Sequence, residues 1–145
     1  MTNDHVNKED CNCNCCQNHR LLEEESNNYH PKVYRPWGWY QNILEGENFK
    51  IKTLCINEGN RISLQKHHHR WEVWTIASGF GSVYCDETWH LAYPGNIFRI
   101  NVDTWHRAKA MKGDLIIMEL QQGKELYEED IQRLEDDYGR TLLSS

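Results

Sequence analysis

The stretch "SLQKHHHRWEVW" places Gln65, His67, His68, His69 and Glu72 within eight positions near the centre of the chain. Imidazole nitrogens with carboxylate and carboxamide oxygens are the donor atoms that hold divalent transition metals. A histidine run left by an expression tag lies at a terminus, and this one is internal. If "RISLQKH" is a strand, alternation puts Arg61, Ser63, Gln65 and His67 on one face and His68 on the other. Glu72 and Trp74 share a face of the next strand, "WEVWTIA", so Gln65, His67 and Glu72 are expected to converge across a hairpin. His106, in "DTWHRA", adds a second imidazole from a further strand. Two His, one Glu and one Gln make a mixed nitrogen and oxygen set, suited to zinc, manganese, iron or cobalt without choosing among them.

The rest of the chain must position these residues. It has 145 residues, enough for one domain with a core. "FKIKTLCI", "RISLQKH", "EVWTIA", "SVYCD", "TWHLA", "NIFRI" and "DLIIMELQ" read as strands, with "EGN", "SGFG" and "YPGN" as turns between them. Many short strands at this spacing predict an all-β sandwich or barrel. The charged segment "YEEDIQRLEDDYGR" is expected as a short C-terminal helix or an extended segment. Six Trp and seven Tyr suggest aromatic walls to a core or cleft. Trp37, Trp39, Trp71 and Trp74 are expected in the core rather than as sugar-stacking platforms.

A net charge of −6 argues against a nucleic-acid partner. No stretch has the apolar length of a membrane span, and "MTNDHVNKED" lacks a signal-peptide core, so the expected location is cytoplasmic. Residues 1–30, rich in Asn, Cys and Glu, read as a disordered tail ahead of a folded unit over 31–145. Cys11, Cys13, Cys15 and Cys16 could bind a soft metal, but they lack the two separated ligand pairs of a structural zinc site, and an ordinary tail is the preferred reading. Cys55 and Cys85, inside strands, are expected to be small buried apolar residues.

The spacing Gly59, five residues, Gln65, one residue, His67, four residues, Glu72, six residues, Gly79 is similar to the first motif of the cupin barrel, with Gln in place of the first His. The wider chain resembles the C-terminal cupin domain of type II mannose-6-phosphate isomerases. The resemblance rests on "RPWGWY" (35–40), "ISLQKHHHRWEVW" (62–74), "TWHR" (104–107) and "EDDYGR" (135–140), and covers about residues 34–140. Val73 stands where that family has a His, and Asn101–Asp103 replace a Pro-x-Gly turn. Many of these enzymes carry a nucleotidyltransferase domain ahead of the cupin, for which this sequence has no room, so guanylyltransferase activity is expected to be absent.

The resemblance implies a double-stranded β-helix, jelly-roll-like barrel that interconverts mannose 6-phosphate and fructose 6-phosphate through a cis-enediol. One divalent ion, zinc by preference, with manganese, cobalt or iron as alternatives, would be held by Gln65, His67, Glu72 and His106. Lys52 and Ser63 match phosphate-binding positions. Arg70 and Arg140 are expected near the reacting carbons, and His69, a metal-bound water or an acid of "EDDYGR" as the proton-transfer group. The expected partner is a small sugar phosphate, with a homodimer left open. A non-catalytic metal-dependent sugar-binding module, or an isomerase or epimerase for another sugar phosphate, remains as an alternative.

Overall fold

The computed structural model describes residues 30–141, and these hold nine strands and no helix. The tail reading of residues 1–30 and its four cysteines falls outside the described residues, apart from His30. The strands are β1 (Val33–Arg35), β2 (Gly38–Glu45), β3 (Phe49–Ile56), β4 (Leu64–Lys66), β5 (Trp71–Cys85), β6 (Thr88–Ala92), β7 (Ile97–Ile100), β8 (Arg107–Gln122) and β9 (Gln132–Glu135). One antiparallel sheet runs β1-β2-β3-β8-β5-β6, and β7 pairs with the first part of β5. A second, two-stranded sheet joins β4 to β9. The C-terminal segment is therefore extended, and the helical alternative is corrected. Its β-branched Ile131 and the pairing of Gln132–Glu135 with β4 outweigh its charged, helix-compatible composition.

Two further expectations change. "SGFG" is not a turn: β5 runs through it, bulged against β8 between Ile76 and Gly81. Gly79 permits this, because its φ is +85° and a Cβ would strike the Asp114 carbonyl. β4 and β5 are not a hairpin, since β4 pairs with β9 and touches the His106 segment through a bridge at Gln65.

Alternation along β3, β5 and β8 builds the interior. Ile56, Leu54, Ile76, Trp74, Leu115 and Ile117 point inward and are buried. Cys55 and Cys85 are buried free thiols, as expected. The inward positions then change character along all three strands at the same level. Leu54 pairs with Ile117, and Ile117 with Ile76, but the next inward set is Lys52, Glu119 and Trp74, and the one after it Lys50, Gln121 and Glu72. All six are buried. Burying ions and amides costs free energy unless they are paired, so this end of the barrel is built for something other than stability. Trp37 and Trp74 are in the core, whereas Trp39 and Trp71 are half-buried under Lys32 and Arg99.

Candidate metal centre and cleft

His67 follows β4, Glu72 lies on β5 and His106 immediately precedes β8. Their donor atoms lie within 4.8 Å of one another, and all three side chains are buried. The convergence is across the barrel rather than across a hairpin. His67 Nδ1 meets the Asp130 carbonyl at 2.6 Å, and His106 Nδ1 meets the Thr104 carbonyl at 2.8 Å. A carbonyl only accepts, so each Nδ1 carries the hydrogen and each neutral ring has its lone pair on Nε2. Those nitrogens face Glu72, His67 Nε2 at 3.3 Å from Oε1 and His106 Nε2 at 3.5 Å from Oε2.

Three acceptors pointed at one another repel unless a cation lies among them. Arg70 answers part of this charge, its Nε donating to Glu72 Oε1 at 2.9 Å and a terminal nitrogen lying 3.3 Å from His67 Nε2. His106 Nε2 is buried with no hydrogen-bond partner. An orphaned lone pair beside a carboxylate and a second imidazole fits a divalent ion. Gln65 reaches the adjoining cleft, its carboxamide oxygen accepting the Ser63 hydroxyl at 2.8 Å. The replaced Pro-x-Gly turn is accommodated: Asp103 adopts φ +60°, which Asp tolerates, and its N–H donates to the His67 carbonyl at 2.8 Å. Val73 alternates away from Glu72, as expected.

Burial pushes the His67 imidazole down to about 4, against the pull of Glu72. Burial alone would raise the Glu72 carboxyl, but attraction to the His67 and His106 imidazoles in their protonated form, and to the Arg70 guanidinium, holds it below the usual carboxylate range. A depressed histidine pKa means that the unfolded chain takes up the proton first as pH falls. Metal-free protein should therefore lose stability as pH drops from 6.5 towards 4, by about 3 kcal/mol at most from this group, and the lowered Glu72 carboxyl adds a further loss below that range. Denaturant midpoints in chelator across that range should show the slope, and His67→Gln should flatten it. Elemental analysis should find about one divalent ion per chain, falling sharply in His106→Ala. Full metal content in that variant would exclude His106 as a ligand.

Beside the cluster lies a cleft of about 420 Å³, lined among others by Tyr40, Lys52, Gln65, Arg70, Glu119 and Arg140. Lys52 is within it, but its ammonium is paired with Glu128 and lies 4.5 Å from the Tyr40 ring centre. Ser63 is 1% exposed and its hydroxyl serves Gln65, so it does not reach the cleft. Arg70 is buried against Glu72, whereas Arg140 is partly exposed and forms a two-pronged pair with Asp136. His69 is the expected residue that the fold does not bring in. Its side chain is 56% exposed and faces Asp130 and Glu125, because Asp130 receives the His68 and His69 backbone N–H groups and turns that corner outward. His68 likewise faces outward, paired with Asp103.

Glu119 was not foreseen. It lines the cleft and is buried, accepting Trp74 Nε1 at 2.9 Å and Gln121 Nε2 at 2.6 Å. The same Trp74 N–H lies 3.1 Å from Glu72 Oε2, so one indole spans two carboxylates. Burial, and then the charge of Glu72, push the Glu119 carboxyl up. The sequence signal was available: "MELQ" on β8 puts a Glu and a Gln at inward positions, as "KIK" does with two lysines on β3. In "TWHR", Arg107 is structural, donating to the Ile62 carbonyl and to Glu135.

The described residues include no helix long and apolar enough to cross a membrane. Solved structures share the architecture. The capsular polysaccharide assembling protein CapF from Staphylococcus aureus superposes with a TM-score of 0.65 at 15% identity, over 73% of this chain and 32% of that one. KdgF from Halomonas gives 0.60 at 15% identity, over 66% and 88%. The cupin domain of Schizosaccharomyces pombe Cnp3 gives 0.56 at 13%, over 59% and 64%. In sequence, the alginate biosynthesis protein AlgA of Pseudomonas aeruginosa is 44% identical over 113 residues, 77% of this chain and 24% of AlgA. The xanthan biosynthesis protein XanB of Xanthomonas campestris is 42% identical over 114 residues, 78% of this chain and 24% of XanB. The mannose-1-phosphate guanylyltransferase of Escherichia coli is 34% identical over 112 residues, 77% and 23%. The chain thus spans about a quarter of the length of the curated relatives it matches. The family described as mannose-6-phosphate isomerase C-terminal matches residues 22–136, and with the all-β cupin barrel and its His67–Glu72–His106 cluster in place, the chain belongs to that family.

Proposed function

We propose that this domain interconverts mannose 6-phosphate and fructose 6-phosphate. The observation that carries this is the joining, at one polar end of the barrel, of a three-donor metal cluster to a cleft holding a buried carboxyl of raised pKa. The exchange moves one proton between C2 and C1 of the open-chain sugar. The C2 hydrogen leaves as a proton, its electron pair forms the C1–C2 double bond, and the C1=O π pair moves onto O1, which takes up a proton to give the cis-enediol. Protonation at C1 and loss of the O2 proton then give the ketose. A divalent ion held by His67, Glu72 and His106, with Gln65 as the fourth ligand, would supply Lewis-acid polarisation of the sugar oxygens.

The chain's own groups do the rest. Glu119 takes the proton at C2 and returns it at C1, since a carboxyl whose pKa is raised by burial and the Glu72 charge holds a proton more readily than an exposed one. Arg70, fixed by Glu72 and the Tyr127 carbonyl, presents a rigid positive charge to the developing enediolate. Tyr40 and Trp37 wall the cleft and limit water. Zinc is the ion proposed, with manganese, cobalt and iron as alternatives that the same mixed nitrogen and oxygen donors accept.

A coupled assay of purified protein with mannose 6-phosphate tests the reading, and no turnover at full metal content would refute it. Arg70→Ala should slow turnover on the order of thirty- to a thousandfold. Arg140→Ala, whose charge is already met by Asp136, should cost less in turnover. Equal activity of Arg70→Ala and the unmodified protein would remove Arg70 from the mechanism.

A further inference from the structure

The cleft is lined by five cationic side chains, Arg35, Lys52, Arg70, Arg133 and Arg140. Three are committed within the protein, Lys52 to Glu128, Arg70 to Glu72 and Arg140 to Asp136. Among the described residues no carboxylate pairs with Arg35 or Arg133. Arg133 Nε is moreover buried with no hydrogen-bond partner. A guanidinium carries five N–H donors in a fixed fork, and burying one without an acceptor is unfavourable. Burial, and then the charges of Arg140 and Arg35, push the Arg133 guanidinium down from its usual range, whereas Asp136 pulls the other way.

The position of this charge is set by backbone pairing. Arg133 on β9 is the register partner of Gln65 on β4, so it stands one strand from the metal cluster. Arg35 comes from β1, and its guanidinium lies 5.4 Å from the centre of the Tyr40 ring that also carries Lys52. Arg35, Arg133 and Arg140 thus line the same cleft as Glu119, and the charges of Arg35 and Arg140 act on Arg133. Arg140 stays paired with Asp136 and Arg35 donates to the Tyr34 carbonyl, but Arg133 Nε has no acceptor, and a cluster of forked donors with one left unmet is suited to a dianionic oxyanion.

We infer that Arg133, with Arg35 and Arg140 beside it, forms an anion subsite that takes the phosphate of the sugar phosphate, in place of Lys52 and Ser63. The inference rests on the isomerase reading for the identity of the sugar, but not for the existence of the subsite. Arg133→Gln in the full chain is the test, with inorganic phosphate as the probe.

The variant should raise KM for mannose 6-phosphate and the inhibition constant of inorganic phosphate by similar factors, about ten- to a hundredfold, with a smaller change in kcat. Arg133→Lys should recover part of the loss. Without phosphate, Arg133→Gln should melt no lower than the unmodified protein, because it removes an uncompensated charge. A purely structural arginine would instead lower the melting temperature and leave both constants unchanged, and that result overturns the proposal. So does a melting temperature that inorganic phosphate does not raise, or raises equally in both proteins. If the chain fails to turn over mannose 6-phosphate yet inorganic phosphate stabilises it only when Arg133 is present, the subsite stands and the isomerase reading falls.

Discussion

Glu72→Ala is expected to cost about 3–5 kcal/mol of stability and to abolish divalent-ion binding. The carboxylate is fully buried and accepts from Arg70 and Trp74 while facing both imidazole lone pairs. Removing it leaves the Arg70 guanidinium, itself 5% exposed, with the Tyr127 carbonyl and the His67 ring as its remaining partners. Trp74 keeps an acceptor in Glu119, so the cost arises from the stranded charge and not from the indole. Denaturant midpoints in chelator separate this cost from loss of the metal. Replacing Arg70 and Glu72 together by Leu should cost clearly less than the sum of the single changes, because neither charge is then left alone. A Glu72→Ala cost below about 1 kcal/mol would mean that Arg70 is solvated or repaired, contrary to its burial.

Glu119→Gln should lower turnover about a hundred- to ten-thousandfold with little change in KM. Gln is nearly isosteric and retains an oxygen for Trp74 Nε1, so the fold should persist. Stability should rise slightly, since the substitution removes a carboxyl that burial and Glu72 both disfavour in its charged form. Two readouts distinguish proton transfer from a packing role. Exchange of the C2 hydrogen with deuterated solvent should stop along with turnover, and the limb of the kcat/KM profile that reports ionisation of this carboxyl should disappear. Near-normal exchange in Glu119→Gln would move the proton-transfer role elsewhere in the cleft.

What was legible in the sequence was whatever depends on spacing along one strand or on a residue's own conformational limits. β3 and β6 were read to their last residues, because alternation and flanking turn residues are local signals. The two glycines of the central motif mark positions of positive φ, +79° at Gly59 and +85° at Gly79, where a side chain is strained. The cluster of His67, Glu72 and His106 was legible from the spacing of the motif, although the expected hairpin is absent and β6 and β7 intervene before the segment that brings His106. Tertiary pairing settled what local pattern could not. Whether β4 meets β5 or β9 depends on which strand edge is left unpaired, and no residue of "LQK" encodes that. The outward turn of His69 follows from Asp130, 61 residues away, capping its backbone. Glu119 and Arg133 acquire their chemical character only from their surroundings, the one from the buried charge of Glu72 beside it, the other from neighbouring arginines and the lack of an acceptor. Alternation places a side chain on the inner face, but the dielectric and the charges it meets there are contributed by strands far away in the chain.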